Sequence, residues 1–238
     1  MIPRPPAKEP TSLLRTTFRR SLALGRIFVV VGVAYVLVLS VALSFTAASS
    51  FGSAFPIFLP IFGALGSLGG LMVFSNDRTK GVFEYLIAYG ISPRQLFVNA
   101  LVASLLLETL VLALFLGLGV GVFVASGHAI TVELVVSLSI YSVPMSYAST
   151  AFATTVGIYW TSLSSPRSGL SSPIGVVPFI GIAPSGLTLA LVAILAHQGY
   201  TNFYLEIGAA VAAVAAIVLL LLGLLDRLMP RERLLSPV

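Results

Sequence analysis

Cysteine is absent from the 238-residue chain, which excludes disulfides, thiolate metal sites and thiol catalysis while leaving the compartment open. Charge is scarce too, with Asp, Glu, Lys and Arg making up 9% of residues against roughly a quarter in soluble domains. With 58% hydrophobic residues and a mean hydropathy of +1.05, there is too little polar surface to cover a water-soluble fold, and the composition implies a polytopic membrane protein. Lysine occurs only as Lys8 and Lys80. Neither lies in the Gly-x-x-x-x-Gly-Lys-Ser/Thr pattern of a phosphate-binding loop, so the chain is expected to carry no ATPase site of its own. The two isolated histidines, His128 and His197, make no metal-ligand pattern, and no catalytic, cofactor or metal site is expected in this chain.

Long apolar runs are what the chain does have. Residues 27–48, 56–74, 97–125, 131–160, 172–196 and 203–225 each reach the length of about 20 residues that a helical span needs. The expected fold is an all-α membrane protein with six transmembrane helices and both termini on one side. The net charge of +5 would suggest nucleic acid in a soluble protein. Here it has a topological meaning, and no nucleic-acid partner is expected. All 13 Lys and Arg residues fall in the N-terminal segment, in 76–97, in 161–171 or after Leu225, and the alternate loops hold none. By the positive-inside rule both ends are cytoplasmic, in a multi-pass protein of the cell membrane.

The domain plan follows. Residues 1–10 are a Pro-rich, disordered tail, 11–26 an amphipathic interface helix, 27–226 a six-span transmembrane domain and 227–238 a cytoplasmic tail. In the interface helix Leu14, Phe18 and Leu22 share one face, while Arg15 and Arg19, joined by Arg20 and Arg26, meet anionic headgroups. A basic leader before a signal sequence is the alternative, but the apolar stretch after it is longer than the roughly 7–15 residues of a signal core.

Within the spans, Gly66 and Gly70 form a GxxxG pair at which another helix can approach closely, either in the same subunit or in a second copy. Pro178 and Pro184 kink the fifth span, which is expected to face a cavity or another subunit. Glu108 is the one acid deep in a span and has either a functional or a structural role.

Residues 76–97 are the interior segment in which charges cluster: Asp77, Arg78, Lys80, Glu84 and Arg94. Val82, Phe83, Leu86 and Ile87 fall on one helical face, with Glu84, Tyr85 and Ala88 around the other. Gly90 is a stop signal, and Ser92-Pro93-Arg94-Gln95 is a capping box that starts the next helix. A two-turn helix is thus expected across the cytoplasmic mouth of spans two and three, its apolar face in need of a partner surface.

This segment resembles the coupling helix of permease subunits of type-2 ABC transporters. The likeness lies in an acid and a basic residue followed by Gly81-x-x-Glu84-x-Leu86, the turn at Ser92-Pro93 and the aliphatic span after it. The basic helix before span one, the six spans and the tail Asp226-Arg227-Leu228-Met229-Pro230-Arg231-Glu232-Arg233 are similar as well. Ala88-Tyr89-Gly90 departs from the Leu-Leu-x-x-Pro-like run of many members. The resemblance implies a half-transporter that pairs with a second permease chain and is driven by an ATP-binding subunit holding ATP and Mg. That subunit would dock on Val82, Phe83, Leu86 and Ile87, with Glu84 as a polar anchor pairing with Arg15, Arg19, Arg20 or the ATPase. The apolar spans lean towards export of hydrophobic or amphipathic compounds. Two alternatives stand beside this reading. Ala183-Pro184-Ser185-Gly186 is loosely similar to the serine motif of rhomboid intramembrane proteases, and Glu108 would suit an ion-coupled secondary carrier.

Overall fold

A computed structural model describes residues 10–44, 55, 56, 59, 60, 65–163, 186, 190, 194 and 216, and no strand occurs among them. The tail expected over 1–10 falls outside them apart from Pro10. So do the fifth and sixth spans but for four single helical positions, Pro178, Pro184 and the segment 227–238.

The chain enters on α1 (Pro10–Ser44), a helix of 35 residues. It is bent by 52° between Leu13–Ile27 and Val29–Ala42. The bend lies where Arg26, the last arginine of this helix, gives way to the uncharged run, so the segments expected as interface helix and first span share one helix. Next come α2 (Leu65–Thr79) and the short α3 (Val82–Ala88). Then α4 (Pro93–Ala125) runs for 33 residues. It is the one described helix long and apolar enough to cross a membrane alone, whereas α1 meets that test only as a bent pair.

After α4 the chain turns at Gly127, whose φ of 85° is left-handed. Gly127 N–H donates to the Val124 carbonyl and His128 N–H to the Phe123 carbonyl, a Schellman closure. Thr131 then caps α5 (Val132–Val136) by accepting from Leu134 N–H at 3.2 Å. A π-helical segment, Ser137–Ser142, leads without a break into α6 (Val143–Leu163). Pro144 explains the widened turn, since it offers no N–H and its ring would crowd the carbonyl four residues back. Ser142 Oγ donates to the Pro56 carbonyl at 2.7 Å, buried between segments 86 residues apart.

Two apolar clusters hold the helices. One gathers Val36 of α1, Leu107, Val111, Phe115 and Phe123 of α4 and Leu134 of α5 around Phe55. The other joins Leu71 and Phe74 of α2, Phe83 of α3, Leu96 and Phe97 of α4 and Ile158 of α6. The outward faces are apolar as well: Ile27, Val30, Val31, Tyr35, Val38 and Val41 on α1 are exposed, as are Leu106, Leu110 and Leu114 on α4.

Gly66 and Gly70 are spent inside this subunit. A Cβ at Gly66 would stand 2.8 Å from Glu108 Cα, and one at Gly70 would stand 2.8 Å from the Ala100 carbonyl, so α2 rests directly on the backbone of α4. Between them Gly69 meets Leu107 of α4 and the Ser21 carbonyl of α1. The GxxxG surface is the junction of three helices of one chain.

Candidate functional site

The site is built where α1, the end of α2, α3 and the start of α4 come together. The polar segment expected from Asn76 begins as helix instead. α2 continues through Asn76, Asp77 and Arg78 to Thr79, because its last turn is held at both ends of its charge. Asp77 accepts from Arg20 of α1 through both oxygens, Arg20 Nη1 to Oδ2 at 2.8 Å and Nη2 to Oδ1. Arg78 sits where a cation suits the negative end of a helix, and burial lowers its guanidinium from the usual value. Gly81, at φ 68°, ends that helix and opens the next.

α3 has only seven residues, too few to persist alone. Three devices fix it. Gly90, at φ 88°, closes its C-terminus, with Gly90 N–H donating to the Ile87 carbonyl and Ile91 N–H to the Leu86 carbonyl. The Ser92–Gln95 capping box starts α4 at once: Gln95 N–H donates to Ser92 Oγ at 3.2 Å and Ser92 N–H to Gln95 Oε1 at 2.9 Å, with Pro93 in the first turn. Phe83 pins the middle, its ring 4.7 Å from that of Phe74.

That pin turns part of the expected docking face inward. Phe83 is 6% exposed, and Val82, Leu86 and Ile87 are half-buried, the last two packed against the cluster around Phe83. An apolar face on a two-turn helix finds its own chain first, because α2 and α4 flank it on short connections. The exposed face carries Glu84, Tyr85, Ala88 and Tyr89. Tyr85 and Tyr89 are 61% and 58% exposed, with ring centroids 4.5 Å apart. Hydrogen bonding and charge from the neighbouring Tyr89 hydroxyl raise the Tyr85 phenol above its ordinary value. Sequence reasoning placed Tyr85 on the polar side and gave it no role. The signal was an i, i+4 aromatic pair, which covers one patch of a helix.

Of the partners expected for Glu84, none of Arg15, Arg19 and Arg20 pairs with it among the described residues. Among the described residues the interface helix binds Asp77 through Arg20, and Glu84 makes no ion pair. Its Oε2 folds back over its own turn, 2.8 Å from where a Cβ at Gly81 would lie. Arg15 and Arg19 are exposed, and Phe18 packs partly against the larger cluster. A cleft of about 790 Å³ opens between these elements, lined by Leu13, Arg20, Asp77, Phe83 and Arg94 among others.

Glu108 lies elsewhere, on the inner face of α4. It is fully buried, with neither carboxyl oxygen hydrogen-bonded. The polar groups facing it are the Thr150 side chain of α6 and the Gly66 backbone of α2, neither in hydrogen-bonding geometry. His128 stacks on Phe123 at 4.9 Å, and Ser185 lies outside the described residues. Among the described residues no three His, Asp or Glu side chains group as metal ligands.

No family model matches the chain, and neither a curated protein nor a solved structure matches it.

Proposed function

We propose that the chain is the membrane-spanning permease subunit of a transporter driven by a separate ATP-binding cassette subunit, and that it exports hydrophobic or amphipathic compounds. The observation that carries this reading is the exposed Tyr85–Tyr89 pair on a short helix fixed between the ends of α2 and α4. Tyrosine is enriched among the residues that dominate protein interfaces, and a chain without a phosphate loop needs its energy from outside. Membrane residence is supported by the aliphatic outer faces of α1 and α4, too apolar for water, and by the basic residues gathered in alternate loops. Six spans and cytoplasmic termini belong to the same proposal, as does a second permease chain completing the pore.

The geometry suits transmission of a push. A load on Tyr85 and Tyr89 reaches Phe83 through one turn of helix, and Phe83 is wedged among Phe74, Leu96 and Phe97. Displacing α3 therefore moves the ends of two long helices, and the arrangement a partner binds better is the one it populates. ATP and Mg stay on the partner.

The test is purification of the tagged full-length chain from its native membrane in mild detergent. The expected result is a co-purified subunit that carries a phosphate loop and hydrolyses ATP, lost on Tyr85→Ala with Tyr89→Ala while the permease still elutes as a folded species. Retention of that subunit by the double variant would refute the docking assignment. Absence of any ATPase would leave the ion-coupled carrier, which buried Glu108 favours.

A further inference from the structure

α6 carries Ser146, Ser149, Thr150 and Thr154, all buried. Ser146, Thr150 and Thr154 recur every fourth residue and so share one face, with Ser149 at its edge. The hydroxyls of Ser146, Ser149 and Thr154 have no hydrogen-bond partner, and neither has that of Ser104, one turn from Glu108 on α4. The three unpartnered hydroxyls on α6 thus span about 12 Å of the helix, and Thr150, between them, faces Glu108. Buried polar groups cost free energy unless they are paired, so a packed seam of this kind is unexpected for a purely structural contact.

Among the described residues no charged side chain pairs with Glu108. α6 has no charged residue from Val143 to Leu163. On α2, Asp77 and Arg78 lie eleven or more residues past Gly66, roughly 16 Å along the helix. On α1, Gly25 marks the level of Leu107, and the adjacent Arg26 is exposed on the outer side. On α4 itself the nearest charge is Arg94, roughly 21 Å away. With no countercharge, an ionised carboxylate in this place would be prohibitively costly. The space is also closed, because Gly66 packs onto Glu108 Cα and Cβ within the reach of a single added carbon. A metal cation needs several oxygen ligands around it, and an organic cation needs a pocket. A proton needs neither.

Resting on the membrane reading, we propose that Glu108 is the binding site of one exchangeable proton, held when α2, α4 and α6 are packed and released when the seam between them opens. The hydroxyl stripe then has a purpose. Serine and threonine donate as well as accept, so once the helices part they supply donors to the ionised carboxylate. The proton dissociates from a carboxyl oxygen to water, and no other bond changes.

The experiment uses the full-length chain in detergent, treated with dicyclohexylcarbodiimide from about pH 5 to about pH 9, a range wide enough to follow a displaced carboxyl. The reagent consumes a neutral acid in apolar surroundings. The carboxyl proton passes to a carbodiimide nitrogen, the oxygen adds to the central carbon, and acyl migration leaves a stable N-acylurea with no leaving group. The expected result is one adduct, mapped by peptide mass to Glu108 and missing in Glu108→Gln. Its rate should fall about tenfold per pH unit once the carboxyl ionises. Melting of the wild type should weaken with rising pH while that of Glu108→Gln stays flat. Gln keeps the shape of the neutral acid, and if the variant does not fold, the wild-type labelling decides alone. An adduct rate independent of pH would overturn the proposal, because the proton would never leave. So would no adduct at any pH. An alkaline wash of the membranes separates this from the reading beneath it: a chain that stays in the pellet and fails to label refutes only the proton site, whereas one that washes off refutes the membrane assignment.

Discussion

Replacing Gly66 by alanine adds one carbon to the α2–α4 contact, and the structure states what it meets. Glu108 Cα and Cβ would both stand 2.8 Å from it, against the 3.4 Å at which ordinary contact begins. Backbone cannot rotate away, so the two helices must separate by about 0.6 Å or one must turn. Overpacking of this order costs about 1–3 kcal/mol. Against it stands the gain of alanine over glycine within a helix, about 0.5–1 kcal/mol. Gly117 and Gly121 on α4 have nothing within 4 Å of an added Cβ and should show only the gain. The expected gap between Gly66→Ala and Gly117→Ala is therefore about 2 kcal/mol, or roughly 4–8 °C in melting temperature for a chain of this size. Thermal unfolding in detergent, followed by size-exclusion chromatography after heating, measures it. Gly70→Ala adds an internal check, since its added carbon would overlap the Ser104 hydroxyl as well as the Ala100 carbonyl, and Ser104→Ala should rescue it only in part. Melting of Gly66→Ala together with Gly117→Ala would refute the packing of α2 on α4.

Other perturbations separate the roles of neighbouring residues. Arg20→Ala leaves Asp77, whose side chain is 9% exposed, without its partner, while Arg20 itself is 39% exposed. The loss should fall below that of a fully buried pair, at about 1–3 kcal/mol, and the Arg20/Asp77 double-mutant cycle should show coupling that weakens with salt. Phe83→Ala removes a buried ring and should cost about 3 kcal/mol in thermal stability, whereas Tyr85→Ala and Tyr89→Ala should each stay within about 0.5 kcal/mol. Ser142→Ala strips the buried Pro56 carbonyl of its donor and should cost about 1–2 kcal/mol in chemical unfolding.

Local signals were the legible part. Ser92, Pro93 and Gln95 announced their capping box, Gly90 its stop, and the end of charge at Arg26 the place where α1 bends. Each depends on residues within one turn of one another. What escaped the sequence was decided by distant partners. Phe83 and Tyr85 lie two residues apart on an amphipathic helix, and it is Phe74 that holds the apolar Phe83 within its own chain. Arg20 could have paired with Glu84 or Asp77, and the choice follows from α1 lying against the end of α2, 57 residues on. For Gly66 and Gly70 the motif specified a close approach, and the fold supplied the surface within the same chain.

The π-helical segment Ser137–Ser142 sets the facing of the helix that follows it. A π turn holds one residue more than an α turn, so the helix continues past it with its register shifted. The extra residue turns everything after it, the hydroxyl stripe included, relative to α5. Pro144 gives the widened turn its reason to persist. Without the surplus residue, the face that α6 presents to Glu108 would be turned by about 100°.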